Sequence, residues 1–165
     1  MLLLVRHSAP ELDPARPADE WRLSDEGRER CRPLADRLAV FEPRMLLSSP
    51  EPKARETAEL IAEPLSLAVH VDERLRETAR SSVGWLEREE LERGVAELFA
   101  RPQELVFGEE TADHALARFS SVVDGLQRAA VVSHGRVISL YAARRTGRDP
   151  FELWRSLKLP DVVVL

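Results

Sequence analysis

Two short, unbroken apolar runs constrain this chain more than any other feature. One is Leu2-Leu3-Leu4-Val5, running into Arg6-His7; the other is Ala129-Ala130-Val131-Val132, running into Ser133-His134-Gly135. Each is too short for a helix, and polar or turn residues follow at once. Neither shows the apolar–polar alternation of a strand with one wet face. Both therefore read as fully buried strands, which need other structure packed above and below them. In open α/β sheets the ligand crevice lies at the carboxyl ends of parallel strands. His7 and His134, distant in sequence, are thus expected to meet in one pocket with Arg6 and Arg136 beside them. That constellation suits an anion, most simply a phosphate.

The rest of the chain supplies the packing layers. Further strands are expected at 44–48, 68–72 and 162–165. Ser24 is a candidate N-cap for a helix running to about Phe41, with Leu34, Leu38 and Phe41 on one face and an interruption at Pro33. Ser49-Pro50 opens a second helix to about Ala62, with Pro64 just beyond it. Apolar spacing predicts helices over 86–99, around Leu116, Phe119, Val122, Val123 and Leu126, and over 136–145. Strands alternating with helices predict an α/β fold: a three-layer α/β/α sandwich around a mostly parallel sheet. The 165 residues fit one domain, with a small cap segment around 78–107.

Charge narrows the partners. The net charge is −5, which argues against a nucleic-acid binder, so an anionic ligand requires a local cationic pocket. No apolar run approaches the roughly 20 residues of a membrane span. The chain opens directly on its first strand, without the pattern of a signal peptide, and Cys31 is its only cysteine. These features lead to the expectation of a cytoplasmic protein without disulfides. No HExxH or CxxC spacing suggests a metal, and no cofactor is expected. Of the 24 basic residues only Lys53 and Lys158 are lysines, so a lysine is an unusual choice in this chain.

Four strand ends carry chemistry: Arg6-His7, the turn at 48–53, Glu77 and His134. Phosphoryl transfer needs a nucleophile, cations for the phosphate oxygens and an acid for the leaving oxygen. A neutral imidazole attacks phosphorus directly, and Arg6 favours that neutral form by like-charge repulsion. The start of the helix after Ser49 is expected to offer free N–H groups to an anion. Glu77 is suited to donate a proton if a nearby phosphate raises its pKa. His70 and His114 read as structural or solvated, and Trp85 and Trp154 as packing residues.

These residues resemble a family. Leu4-Val5-Arg6-His7-Ser8 is similar to the arginine–histidine–glycine signature of the histidine phosphatase superfamily, in the branch containing the cofactor-dependent phosphoglycerate mutases. Leu23-Ser24-Asp25-Glu26-Gly27-Arg28 resembles its helix-opening segment. Ser48-Ser49-Pro50-Glu51-Pro52-Lys53-Ala54-Arg55-Glu56-Thr57-Ala58 resembles its second motif, and Leu75-Arg76-Glu77 its acid motif. Gly108-Glu109-Glu110 with Arg118, then Val131-Val132-Ser133-His134-Gly135, complete the order. The resemblance implies a phosphoglycerate mutase-like fold, with His7 as phosphorylated nucleophile and Glu77 as acid and then base. It implies that Arg6 and His134 hold the phosphoryl group, and it places no metal in the pocket.

The chain departs from the pattern twice. Ser8 replaces the signature glycine, and Lys53 stands where the family has a phosphate-binding arginine, with Arg55 two positions further on. Lysine keeps the charge but loses the planar fork. Lys53 is a candidate phosphate ligand, and Ser8, Arg55 and Arg136 are possible pocket residues. Three readings follow. The first is a phosphomonoesterase acting on a small phosphorylated substrate through phosphohistidine, favoured because only about 30 residues separate Glu77 from the next motif. The others are a mutase-type phosphotransferase and a catalytically weak relative that binds a phosphorylated ligand.

Overall fold

The computed structural model describes residues 1–165. Five strands form one sheet: β1 (Leu2–Arg6), β2 (Met45–Ser48), β3 (Val69–Val71), β4 (Ala129–Ser133) and β5 (Asp161–Val164), in the order β3-β2-β4-β1-β5. All neighbouring pairs are parallel except β1 with β5, which is antiparallel. The sequence expectation of a mostly parallel α/β sandwich thus matches the fold.

The two apolar runs lack alternation because both faces of their strands are covered. Leu2 and Leu4 of β1 belong to one core cluster, Leu3 and Val5 to the other. Likewise Ala129 and Val131 of β4 face one way, and Ala130 and Val132 the other. The four residues of the first run are no more than 4% exposed, so each apolar side chain contributes on the order of 1.5–3 kcal/mol by burial.

One face is covered by α1 (Asp25–Glu29), α2 (Cys31–Ala39) and α3 (Pro52–Leu65), through Leu34, Leu38, Ala54, Ala58 and Ile61. The other carries α4 (Arg88–Ala100), α5 (Ala112–Val123) and α6 (Gly135–Thr146), through Val95, Leu98, Phe119, Ile138 and Tyr141. Ser24 caps α1 by accepting from the Gly27 N–H at 3.0 Å. The helix then breaks at Arg30, and Pro33, with no N–H to give, falls in the first turn of α2.

Besides shifts of one to three residues at other ends, both ends of α3 differ from the sequence expectations and one helix was not expected. Helix α3 starts at Pro52 rather than at Ser49-Pro50, because Glu51 is its extended N-cap. It also runs through Pro64 instead of ending before it. The last turn tolerates that proline because left-handed Ser66 (φ 55°) closes the helix, with Leu67 N–H donating to Ala62 O at 3.1 Å. A seventh helix, α7 (Pro150–Ser156), lies in the unassigned stretch after Arg145. Asp149 caps it by accepting from Glu152 N–H at 2.8 Å, and Pro150 occupies its first position. No helix is long and apolar enough to cross a membrane.

Candidate active site

Register brings the two histidines together. Arg6 of β1 lies opposite Ser133 of the parallel β4, so the next residue on each strand emerges at the same edge. His7 N–H donates to Ser133 O at 3.0 Å, and the rings of His7 and His134 stand 5.2 Å apart, edge to face. Ser48 of β2 lies opposite Val132 on the other side of β4, which places the 48–53 turn against the same point. A pocket of about 410 Å³ opens there, lined among others by Arg6, His7, Glu51, Lys53, Glu77, His134 and Arg136.

His7 is nearly buried, and its Nδ1–H donates to the Ser8 carbonyl at 2.7 Å. That bond leaves the Nε2 lone pair free of protein partners. Burial pushes the His7 pKa well below its usual value, with further lowering from His134, Lys53 and Arg6. His134 is also held neutral, by burial first and then by Lys53. Its Nε2 meets Ser49 Oγ at 2.8 Å, while its Nδ1 has no partner.

Glu77 sits at the start of α6 and acts as its cap. One carboxylate oxygen accepts from Thr78 N–H at 2.9 Å and Val137 N–H at 3.2 Å, and the other from Arg136 N–H at 3.0 Å. Burial raises its pKa, but Arg136, His134 and these backbone donors outweigh burial and hold it below the ordinary carboxylate value. The loop carrying it is clamped from behind. Arg118 forms a two-pronged pair with Glu110 at 2.9 and 2.8 Å and donates to the carbonyls of Arg74, Arg76 and Glu77. Glu110 also accepts from Ala79 N–H at 3.2 Å. The Glu110 and Arg118 segments thus brace the acid loop from outside the pocket.

The remaining sequence candidates divide. Arg6 lines the pocket, with Nη1 donating to Leu157 O at 2.7 Å and Nε unpartnered. Arg136 lines it too, buried, with Nη2 on Thr78 O at 3.0 Å. Lys53 is buried in the wall, but its ammonium is already engaged by Glu51 Oε2 at 2.7 Å and Ala18 O at 2.5 Å. Arg55, by contrast, is not a pocket residue: two positions on, it points to the opposite side of α3, exposed and paired with Glu59 at 2.8 Å. Ser8 is corrected as well. Its hydroxyl turns away to donate to Gly27 O at 2.7 Å, and its N–H donates to Thr57 Oγ1 at 3.0 Å. The extra side chain therefore braces the strand end and adds no bulk to the pocket.

The α3 start is not the open anion seat the sequence suggested. Pro52 has no N–H, and those of Ala54 and Arg55 are spent on Glu51 O at 3.0 Å each. Glu51, missed in the sequence, is instead a hub. Its carboxylate binds Lys53, accepts from Glu77 N–H at 2.8 Å and lies 3.4 Å from His134 Nε2. The cue was an acid two residues before the unusual lysine. Arg76, quoted in the acid motif but given no role there, also lines the pocket, as do Thr78 and Arg80, which carried no motif.

The arrangement is built for an anion. Its lining holds the cations Arg6, Lys53, Arg76, Arg80 and Arg136 against Asp19, Glu51 and Glu77, a local positive excess in a chain of net charge −5. Four of the six buried side-chain polar atoms without partners (Arg6 Nε, Thr78 Oγ1, His134 Nδ1, Arg136 Nε) belong to its lining residues. Unsatisfied buried donors are costly and cluster where a ligand completes them. No cluster of three or more His, Cys, Asp or Glu side chains stands ready to hold a metal ion.

Known proteins share this fold. A comparison with curated proteins gives no match. Among solved structures, a mycobacterial glucosyl-3-phosphoglycerate phosphatase is similar with a TM-score of 0.74 at 22% identity, covering 95% of this chain and 84% of its own. A phosphoserine phosphatase from Entamoeba histolytica, solved with 3-phosphoglyceric acid, gives 0.73 at 18% identity, covering 99% and 94%. The protein TTHB049 from Thermus thermophilus gives 0.69 at 25% identity, covering 90% and 86%. At these identities the likeness is one of fold. The family profile described as histidine phosphatase superfamily (branch 1) matches residues 2–164, and the chain therefore belongs to the histidine phosphatase superfamily.

Proposed function

We propose that the protein is a phosphomonoesterase that hydrolyses a small phosphorylated substrate through a phosphohistidine at His7. The observation that carries this reading is the state of the His7 ring. Its Nδ1–H bond to Ser8 O orients it, it lines the cationic pocket with Nε2 unengaged, and burial favours its neutral form. Family membership supports the same class of chemistry.

In this mechanism His7 Nε2 attacks phosphorus while the bond from phosphorus to the ester oxygen breaks. Arg6 and Arg136 balance the charge on the phosphoryl oxygens, and neutral His134 is placed to donate a hydrogen bond to them. Glu77 enters the reaction ionised. The incoming dianion repels its charge and raises its pKa, so it takes up a proton that it then gives to the leaving oxygen. Water completes the cycle: Glu77 accepts its proton, the oxygen attacks phosphorus, and the phosphorus–Nε2 bond breaks to release phosphate. Ser8 does not obstruct this sequence, because its side chain points to Gly27.

The test is rapid-quench trapping with a radiolabelled phosphate ester. The intact protein is expected to accumulate an acid-labile phosphoenzyme, and His7→Ala to abolish both label and turnover. Label retained on the His7→Ala protein overturns the mechanism. Efficient isomerisation of phosphoglycerate with a bisphosphoglycerate primer, exceeding hydrolysis, favours the phosphotransferase reading instead.

A further inference from the structure

A second cavity of about 540 Å³ adjoins the phosphate pocket, within the size range of small-molecule sites. The two share Leu12, Ala18, Trp21, Arg80, Ser81 and Leu91, so they are neighbouring chambers built on common walls. The loop before α1 supplies one wall through Leu12 and Trp21. The loop before α4 supplies the other through Val83, Trp85 and Leu86.

The character of this cleft is apolar. The two indoles approach to 6.0 Å. Their polar ends are already satisfied: Trp21 Nε1–H donates to Asp13 O at 3.0 Å, and Trp85 Nε1–H to Glu87 Oε1 at 3.0 Å. What the rings leave for a ligand is therefore hydrocarbon and π-face. The charged side chains along the cleft are also committed to neighbours. Arg16 pairs with Asp13 at 3.4 Å and Arg88 with Glu92 at 3.0 Å, while Glu87 holds Trp85 and the start of α4. Arg80, in the shared wall, has no carboxylate partner; one Nη reaches only the Val83 carbonyl, at 3.4 Å. Leu12 is 59% and Trp85 42% exposed, an unusual cost for large apolar side chains lining an open cleft beside a reaction pocket.

Resting on the phosphatase reading, we propose that this cleft receives the leaving group of the substrate, and that the substrate is a phosphate ester of an apolar, ring-sized alcohol. The phosphoryl group occupies the histidine pocket, Arg80 stands where the two chambers join, and the organic group packs against Trp85 and Leu12. The walls shared with the phosphate pocket select a substrate moiety over a separate protein partner. Apart from Arg80 at the junction, the charged side chains and indole N–H groups of the cleft are paired, which selects an apolar moiety over a sugar or amino acid.

Calorimetry with two non-hydrolysable probes tests the subsite without relying on turnover. Benzylphosphonate is expected to bind at least about tenfold more tightly than methylphosphonate, the gain from burying one ring face. Trp85→Ala is expected to remove most of that difference while leaving methylphosphonate affinity unchanged, and Trp85→Leu to keep part of it. Equal affinity for the two probes, or a preference untouched by Trp85→Ala, overturns the proposal. So does a dimer that Trp85→Ala dissociates with no change in probe preference, which gives the cleft to a second copy.

Parallel assays with 1-naphthyl phosphate and glycerol 2-phosphate separate the two readings. Hydrolysis of both at equal kcat/KM retains the phosphatase and removes the subsite. Preferential benzylphosphonate binding with neither ester hydrolysed retains the subsite and removes the phosphatase.

Discussion

The Glu51–Lys53 pair lies in the wall of the pocket with side chains only 4% and 7% exposed, so its removal has a calculable consequence. At the observed 2.7 Å the direct attraction is about 6 kcal/mol for an effective dielectric near 20. Much of this is offset by the hydration both ions gave up, and the net worth of the pair is far smaller. Losing one partner is different, because the other charge stays buried alone. Lys53→Met leaves Glu51 Oε2 without its cation and is expected to cost about 3–5 kcal/mol. For a chain of this length that lowers Tm by roughly 6–20 °C. Adding Glu51→Gln removes the stranded charge while keeping an oxygen for the Glu77 N–H. The double variant is therefore expected to be more stable than Lys53→Met alone, by about 2 kcal/mol. Urea unfolding at about pH 7.5 measures all four proteins, with equal slopes confirming a shared unfolded state. A double variant whose loss equals the sum of the single losses, within about 0.5 kcal/mol, refutes the argument that these charges are coupled and buried.

The buried histidines set a pH dependence. Burial, with neighbouring cations, depresses the folded pKa of His7 and His134 well below 6.5, so between those values the unfolded chain binds more protons. Stability is complete above about pH 6.5 and falls as pH drops, by about 1.4 kcal/mol per pH unit for each histidine. Replacing both with Asn is expected to flatten the curve of urea midpoint against pH between about 6 and 5; parallel curves contradict the assignment. Glu77→Gln is expected to lower kcat on glycerol 2-phosphate by on the order of 100- to 10,000-fold, but far less on p-nitrophenyl phosphate, whose leaving group needs no proton. Equal losses on both esters remove the acid role. Gly27→Ala is expected to cost about 1–3 kcal/mol, since a Cβ there meets Ala9 O at 2.0 Å. An unchanged Tm for that variant means the Ala9 backbone yields freely.

The legible part of the molecule was local. Doubly buried strands wrote themselves as runs without alternation, and Pro33 marked the break between α1 and α2 by lacking an N–H. His7 and His134 were placed correctly because both follow strands whose register is dictated by the buried runs. Helix α7 was missed although Asp149, Pro150 and Glu152 form a helix start, because its single buried side chain, Leu153, leaves almost no apolar stripe. Pro64 misled because it stands in a last turn closed by other bonds.

The site was legible in its reactive groups and not in its cations. Lys53 and Arg55 are two positions apart on α3, about 200° around the helix, so one reaches the wall and the other reaches solvent. Nothing local tells Lys53 that its partners will be Glu51 and the carbonyl of Ala18, the latter arriving from a loop 35 residues earlier. The same holds for the grip of Arg118 on the acid loop, and for Ser8 finding Gly27. By itself the sequence determined the central strands β1 and β4, the layers over them and the two histidines at their ends, since a strand buried on both faces shows no apolar–polar alternation. The strand order and the antiparallel β5 came only with the tertiary structure. The tertiary structure alone decided which charges meet. Long polar side chains are flexible, and their positions are selected by partners that folding brings in from elsewhere in the chain.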